Sequence, residues 1–302
     1  MKALTSVSRE LNGLHDALAA FTSRNICEAI SMIEGVKPVM RLAIPASAAE
    51  MVAGVMSRLG ATFARAPWRT RTVHTNAFGD VYTENVPEDE HPAGDVEVFI
   101  SRQHGLAQRA CEVAGTEEGA MEYGLLLGYP PCCITKVEEV SEERDWLTVL
   151  LESSELSRIY PFGANRIAYL FTERTLGYDY YPCSLHCRAT AALAAQTGAM
   201  LGAHGLAELA QGMAEEMRTP ILIRRGVVLR LRGARQTGER VSYDLSRAEA
   251  RVWKVVSGIE DDLLWQTSEI VKSDQALTLS GNGHPLACLE ERTLDDRLLV
   301  FA

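Results

Sequence analysis

Two short stretches of the chain place cysteine directly behind Tyr-Pro. The first reads YPPCC at residues 129–133, and the second reads YPCSLHC at residues 181–187. Together they hold four of the seven cysteines, namely Cys132, Cys133, Cys183 and Cys187. In a reducing compartment, clustered cysteines indicate metal binding or redox chemistry more often than disulfides. The two stretches therefore predict one shared metal centre.

Both stretches have the pattern of a helix start. Gly128 follows the apolar run AMEYGLLL and suits the end of that helix, and Pro131 suits the first turn of the next one. Pro182 would open a second helix in the same way, with Cys183 in its first turn and Cys187 one turn along on the same face. Free N–H groups and the helix dipole at such a start favour a thiolate, which is the form of cysteine that binds metals.

The spacing predicts three thiolate ligands rather than four. Adjacent residues on a helix point about 100° apart, so one metal would take Cys132 or Cys133 but not both. Cys183 and Cys187 complete a three-cysteine set with an open coordination position. Such a set suits a [4Fe-4S] cluster with one accessible iron, acting in redox or sulfur-transfer chemistry on a small substrate.

Two alternatives stay open at this point. Three cysteines with His186 would suit a closed zinc site, although His186 points off the face of Cys187 and fits better beside the metal or facing a substrate. The protein would then be a zinc-stabilised binding or scaffold protein. The second alternative is a metal-free thiol redox protein with Cys132 and Cys133 as the reactive pair.

Two further side chains are candidates for catalysis. His186 would transfer protons, and Arg166, between the two cysteine stretches, would clamp a carboxylate or phosphate near the metal. A solvated or structurally paired arginine is at least as common in such a position. The neighbouring tyrosines are expected to pack around the site.

The paired motifs LGYPPCC and YYPCSLHC carry a resemblance. They are similar to those of a poorly characterised bacterial and archaeal family, a domain of unknown function with Gly-Tyr-Pro-x-Cys-Cys and Tyr-Pro-Cys-Ser signatures. The resemblance covers about residues 95–245. It implies no particular activity.

Composition narrows the choice of partner. The chain has 302 residues, 47% of them hydrophobic, and a net charge of −10 from 30 basic and 40 acidic side chains. That charge argues against general binding to nucleic acid or to an anionic membrane surface. No apolar run reaches membrane-spanning length, and the charged N-terminus does not resemble a signal peptide, so we expect a cytoplasmic protein acting on a small molecule. The glycine motifs of nucleotide-binding loops are absent from the sequence.

Hydrophobic periodicity predicts an α+β fold in three parts. Residues 1–102 form a small α/β region, residues 103–217 a helical region with the metal site, and residues 218–302 an α+β subdomain with a β-hairpin. The polar segment 68–94 is expected to form a long loop or a hairpin.

The C-terminal part contains two patterns of its own. SRAEARVWKVV begins with Ser246 and Glu249 at capping-box spacing and predicts a helix. A strip of arginines on the predicted hairpin is interpreted as a solvated strand face. Its members are Arg224, Arg225, Arg230, Arg232 and Arg235.

Overall fold

The computed structural model describes residues 4–301 except 76–80, 117, 141–145, 154–158, 173, 179, 225–226, 238–239, 253–268, 273–275, 282–283 and 291–295. In several strand segments it describes the backbone alone. The described residues form helices and three sheets in which all strand pairs but one are antiparallel, which confirms the α+β class. None of the helices in the described ranges combines the length and the apolar character needed to cross a bilayer.

The helical periodicity near the N-terminus forms two helices. Helix α1 covers Ser6–Ala17 and α2 covers Ser23–Ile33. The break falls at Thr22, which caps α2, and the Asn25 side chain accepts a hydrogen bond from the Thr22 backbone N–H at 2.7 Å. Helix α1 buries one face, whereas α2 is buried on all sides from Ile26 to Ile33.

The first sheet has four strands, all of them antiparallel to their neighbours. Its elements are β1 (Met40–Ile44), α3 (Ala49–Arg58), β2 (Thr62–Thr75), β3 (Val81–Pro87) and β4 (Asp95–Ser101). The strands lie in the order β1-β4-β2-β3. Strands β2 and β3 form a hairpin from the polar segment 68–94, so the hairpin alternative is confirmed.

The middle of the chain is mostly helical. Its elements are α4 (Leu106–Val113), α5 (Ala120–Leu126), α6 (Pro131–Glu139), α7 (Trp146–Glu152), β5 (Ile159–Tyr160), α8 (Arg188–Ala203) and α9 (Ala207–Arg218). Two short 3-10 helices, Phe162–Ala164 and Arg166–Leu170, lie between β5 and α8. Helix α8 ends at Ala203, and Gly205, with φ of +81°, forms a left-handed closing turn just after it.

Two further sheets form the C-terminal part. Their strands are β6 (Ile221–Arg224), β7 (Val227–Arg230), β8 (Arg235–Thr237), β9 (Arg240–Ser242), β10 (Glu249–Val252), β11 (Glu269–Lys272), β12 (Ala276–Gly281), β13 (His284–Glu290) and β14 (Asp296–Phe301). One sheet has the order β10-β7-β6-β14-β5, and the other has the order β13-β12-β11-β9-β8. The predicted hairpin is confirmed as β6 and β7.

The helix predicted from SRAEARVWKVV is wrong over its described part. Residues 245–247 form a short 3-10 helix, and Glu249 begins β10, which pairs with β7. The Ser246 hydroxyl and backbone N–H both donate to the Asp244 carboxylate, so they form a local turn instead of a helix cap. Sheet pairing therefore overrides the capping-box pattern. Residues 253–256 of this stretch lie outside the described residues.

The interpretation of the arginine strip as a solvated strand face is wrong for two of its members, Arg224 and Arg230. Arg224 is 2% exposed and Arg230 is 1% exposed. The Arg230 guanidinium lies between the carboxylates of Glu216 in α9 and Glu249 in β10, and these ion pairs neutralise the charge that burial would otherwise make costly. Arg225 lies outside the described residues.

One apolar core joins the N-terminal sheet to the long helices. It contains Leu11 of α1, Ile30 of α2, Val98 of β4, Ala194 of α8 and Met213 of α9. A second core packs α7 against the β6–β7 hairpin and β14. The division at residues 102 and 217 stays a prediction, and the first core spans the earlier of these boundaries.

Gly163 offers a test of how closely the chain packs against α8. A methyl group at Gly163 would lie 2.7 Å from Ala194 Cβ and 2.9 Å from Ala191 Cα, so we expect Gly163→Ala to destabilise the protein by about 1–3 kcal/mol. Gly198→Ala, inside α8 and 3.7 Å from its nearest neighbour, should stabilise by roughly 0.5–1 kcal/mol. Urea unfolding measures both; equal effects of the two substitutions would contradict the described contact.

Candidate metal centre

The first cysteine stretch lies at a tight junction between α5 and α6. Gly128 has φ of +74° and closes α5, and Pro131 is the first residue of α6. The predicted roles of Gly128 at the end of one helix and of Pro131 at the start of the next are confirmed. Cys132 and Cys133 therefore lie in the first turn of α6, where backbone N–H groups lack helical acceptors. Cys133 is buried and Cys132 is exposed.

A buried ion pair supports this junction. Lys37 Nζ donates to the carbonyl of Leu127, the last carbonyl before Gly128, at 2.6 Å, and it lies 3.1 Å from Glu28 Oε2. The same ammonium is 4.3 Å from the centre of the Tyr178 ring. A cation is favourable at the C-terminal end of a helix. The pair was missed from the sequence because Glu28 and Lys37 have no recognisable spacing.

The second cysteine stretch does not form a helix start at Pro182, so that prediction is wrong. Helix α8 begins at Arg188, and Cys187 is its N-cap. Leu185 is fully buried in the second core, and the Cys187 N–H donates to the carbonyl of Ser184 at 3.1 Å. This buried contact and turn hold residues 183–187 in a compact loop, and the helix starts only after it.

The structure brings the sulfurs of all four cysteines together. The four Sγ atoms lie within 4.8 Å of one another. Cys187 Sγ is 3.6 Å from Cys133 Sγ and 3.8 Å from Cys132 Sγ, and the two adjacent cysteines have their sulfurs 3.9 Å apart. Four thiol groups at this separation can hold a metal ion.

The expected divergence of Cys132 and Cys133 is therefore wrong. The expectation used the 100° step between helical positions, but neighbouring Cα atoms are only about 3.8 Å apart. Suitable χ1 rotamers then direct both side chains to the same side, with their sulfurs 3.9 Å apart. Both cysteines belong to the cluster, and the three-cysteine set with an open position is replaced by a set of four.

Thr190 links the cluster to α8. Its Oγ1 donates to Cys187 Sγ at 3.2 Å and its backbone N–H donates to the same sulfur at 3.5 Å. The hydroxyl of Tyr180 in turn donates to Thr190 Oγ1 at 3.0 Å. Cys187 thus caps the helix through a residue three positions later, the spacing at which serine or threonine N-caps act. The spacing of three residues between Cys187 and Thr190 is the sequence pattern from which this contact could have been predicted.

Hydrogen bonding makes Cys187 the most acidic of the thiols whose pKa is shifted. The pKa of Cys187 is lowered to about 4 because Cys133 and then Thr190 donate hydrogen bonds to its sulfur. The pKa of Cys133 is raised, first because its proton is held in that hydrogen bond and second because it is buried. Burial raises the pKa of Cys183 to about 12. A metal ion must displace the protons of Cys133 and Cys183.

Arg166 is buried behind the cluster. It is 2% exposed, its guanidinium carbon lies 5.0 Å from the centre of the Tyr180 ring, and it donates to the carbonyl of Leu176 at 3.0 Å and to the hydroxyl of Tyr169. Asn165 caps the 3-10 helix that carries Arg166. In this position the guanidinium packs against the aromatic rings that surround the thiols. A catalytic role of Arg166 stays a prediction.

His186 is close to the cluster in sequence but is not one of the clustered ligands. Its ring packs on Tyr160 of β5 with 4.9 Å between the ring centres. The position off the Cys187 face agrees with the expectation from the sequence. Proton transfer by His186 stays a prediction.

The remaining cysteines behave as small apolar residues where their side chains are described. Cys27 is fully buried in the first core, and Cys111 is 7% exposed beside β2. Burial raises the pKa of both thiols, which disfavours the reactive thiolate. The side chain of Cys288 lies outside the described residues.

Comparison of the chain with known protein families, curated protein sequences and solved structures finds no match. The resemblance to the family with paired Tyr-Pro-Cys signatures therefore stays a prediction.

The Lys37–Glu28 pair yields a test of the junction that presents Cys132 and Cys133. We expect Lys37→Met to destabilise the protein by about 3–5 kcal/mol, because it removes the Lys37 ammonium from beside the buried Glu28 carboxylate. The double variant Lys37→Met/Glu28→Gln should recover at least half of that loss, since both charges are then gone. Guanidinium unfolding of the three proteins measures the difference. Equal stability of the single and double variants would contradict the ion pair.

Proposed function

We propose that the protein is a zinc-stabilised binding protein in which Cys132, Cys133, Cys183 and Cys187 bind one tetrahedral metal ion. The observation that carries the proposal is the spacing of the sulfurs, 3.6, 3.8 and 3.9 Å for three of the pairs. Zinc binds thiolate at about 2.3 Å, so the edge of a tetrahedral four-thiolate site is roughly 3.8 Å. The two values agree.

The same spacing argues against the [4Fe-4S] cluster expected from the sequence. In a four-iron cluster each cysteine binds a different iron at a corner of a cube, which separates the sulfurs by about 6 Å. The four sulfurs of this site lie within 4.8 Å of one another. The loop and the α6 start would have to move apart to admit a cluster of that size.

The surroundings are suited to an anionic centre. Four thiolates around a divalent ion carry a net charge of −2, and such a charge is costly to bury without nearby cations. Arg166 is buried behind Tyr180, and its Nε and Nη2 atoms have no hydrogen-bond partner among the described residues. The Tyr180 ring and Thr190 lie between this guanidinium and the sulfur of Cys187. The positive charge of Arg166 therefore partly offsets the negative charge of the thiolates.

A four-cysteine zinc site has no open coordination position, so its role is structural. The ion joins the first turn of α6 to the loop before α8, two parts of the chain that are distant in sequence. The surface formed by the start of α6 and the loop before α8 then serves to bind another molecule, and no reaction takes place at an open iron.

Metal analysis of the purified chain tests the identity of the ion. We expect one zinc per chain and no acid-labile sulfide, in both aerobic and anaerobic preparations, because the sulfur spacing fits a single ion. Four irons with four sulfides after anaerobic purification would instead support the iron–sulfur enzyme. A metal-free protein whose vicinal cysteines are rapidly alkylated would support the thiol redox alternative.

Removal of one ligand tests which residues bind the ion. Cys187→Ser should abolish stoichiometric zinc, whereas Cys111→Ser, a substitution at another buried cysteine, should retain it. Cobalt loading followed by absorption spectroscopy reports the thiolate site directly, since the thiolate-to-cobalt charge-transfer band weakens when a thiolate ligand is lost. Retention of zinc by Cys187→Ser would contradict the four-cysteine assignment.

Chelation tests the structural role. Ligand binding to the folded state alone stabilises by about 4 kcal/mol when the free zinc concentration is 1,000 times the Kd, so we expect a strong chelator to lower the unfolding midpoint accordingly. Addition of zinc should restore it. An unfolding midpoint that is the same with and without zinc would overturn the structural role.

A further inference from the structure

A cleft of about 330 Å³ opens beside the metal centre, and the proposed function does not say what molecule it would bind. It lies between α5, α6, the start of α7 and the two tyrosines Tyr180 and Tyr181. Cys133 is one of its lining residues, so the cleft reaches the cysteine cluster. Its volume is within the range of small-molecule sites in proteins.

The walls of the cleft are unusually aromatic. The Trp146 and Tyr181 rings stack with 5.1 Å between centres and an angle of 3° between planes. Tyr129 and Tyr180 pack together on the lining as well, with 4.8 Å between their centres, and Tyr123 adds a fifth ring. Flat rings at fixed orientations favour a flat aromatic ligand, because such a ligand buries its faces against them.

Arg41 supplies a positive group at this aromatic site. The carboxylate of Glu97, which is 1% exposed, accepts from Arg41 Nε and, at 3.1 Å, from Trp68 Nε1. These contacts fix the guanidinium in place. The Arg41 side chain is nevertheless 41% exposed, and its two Nη groups make no hydrogen bond to any described residue. Two parallel N–H groups on a fixed guanidinium match the oxygens of a carboxylate or phosphate.

The remaining charge around the cleft limits the ligand to one anionic group. Glu138 lines the cleft and would repel a second negative charge. The other lining side chains near Cys133 are apolar, namely Leu127, Ile134 and Val137. Because the whole chain has a net charge of −10, long-range attraction does not favour anions, and selectivity for one must come from Arg41 itself.

We propose that this cleft binds a planar aromatic small molecule that carries a single carboxylate or phosphate group. The ring system lies among the five aromatic side chains and the anionic group pairs with the Nη atoms of Arg41. The proposal goes beyond the zinc site and does not depend on which metal the cysteines hold.

Calorimetry on the metal-loaded chain of 302 residues tests the proposal with four matched probes. These are 2-naphthoate, 2-naphthyl phosphate, neutral 2-naphthamide and cyclohexanecarboxylate, which is anionic but not planar. We expect at least one of the two naphthyl anions to bind at least tenfold more tightly than the amide and than the cyclohexane acid. The two naphthyl anions distinguish a carboxylate ligand from a phosphate ligand. No binding of either, or equal binding of the amide, would overturn the proposal.

Two variants locate the site. Arg41→Gln should reduce the preference for the anion over the amide at least tenfold, whereas Arg58→Gln, a substitution of an exposed ion-paired arginine on α3, should leave it unchanged. Trp146→Leu should weaken all planar probes and leave the anion preference in place. Circular dichroism confirms that each variant is folded. An unaltered anion preference in folded Arg41→Gln would overturn the assignment.

Zinc content measured on the same samples separates this inference from the proposed function. Protein without zinc that binds the naphthyl anion contradicts the metal assignment alone. Protein with stoichiometric zinc that binds none of the probes contradicts the ligand assignment alone.

Discussion

The close approach of four sulfurs is the constraint on which the rest of the site depends. Thiolates repel one another, and sulfurs that lie within 4.8 Å in a partly buried place require a cation between them or protons shared among them. The neighbouring elements supply the thiols or stabilise their charge. Helix α8 and Thr190 stabilise the charge on Cys187, the first turn of α6 presents two thiols, and Arg166 lies behind Tyr180 as a buried positive charge.

Local patterns in the sequence predicted the parts of the site that local geometry controls. Pro131 begins α6 because its ring and missing N–H suit the first helical turn, and Gly128 closes α5 because its φ is positive. The convergence of the two cysteine stretches followed from their repeated pattern. The α+β class followed from the change in hydrophobic period along the chain.

The failures share a different cause, which is contact between distant parts of the chain. Pro182 has the same local pattern as Pro131, but the burial of Leu185 in the second core holds the following residues in a loop. Glu249 has capping-box spacing, but β10 pairs with β7 and the carboxylate neutralises Arg230. The buried pair of Glu28 and Lys37, and the cleft beside Cys133, have no sequence signature because their residues meet only in the folded chain.

The position of the cysteines along the sequence has a topological consequence. When one ion binds Cys133 and Cys183, the 50 or so residues between them become a closed ring, equivalent to a cross-link that restricts the unfolded chain by about 4 kcal/mol in the chain-entropy model. Trp146 and Tyr181, which stack on one wall of the cleft, both lie within that ring. Any molecule that requires this wall binds only the folded chain, which the metal also stabilises, so metal and ligand favour each other through the folding equilibrium.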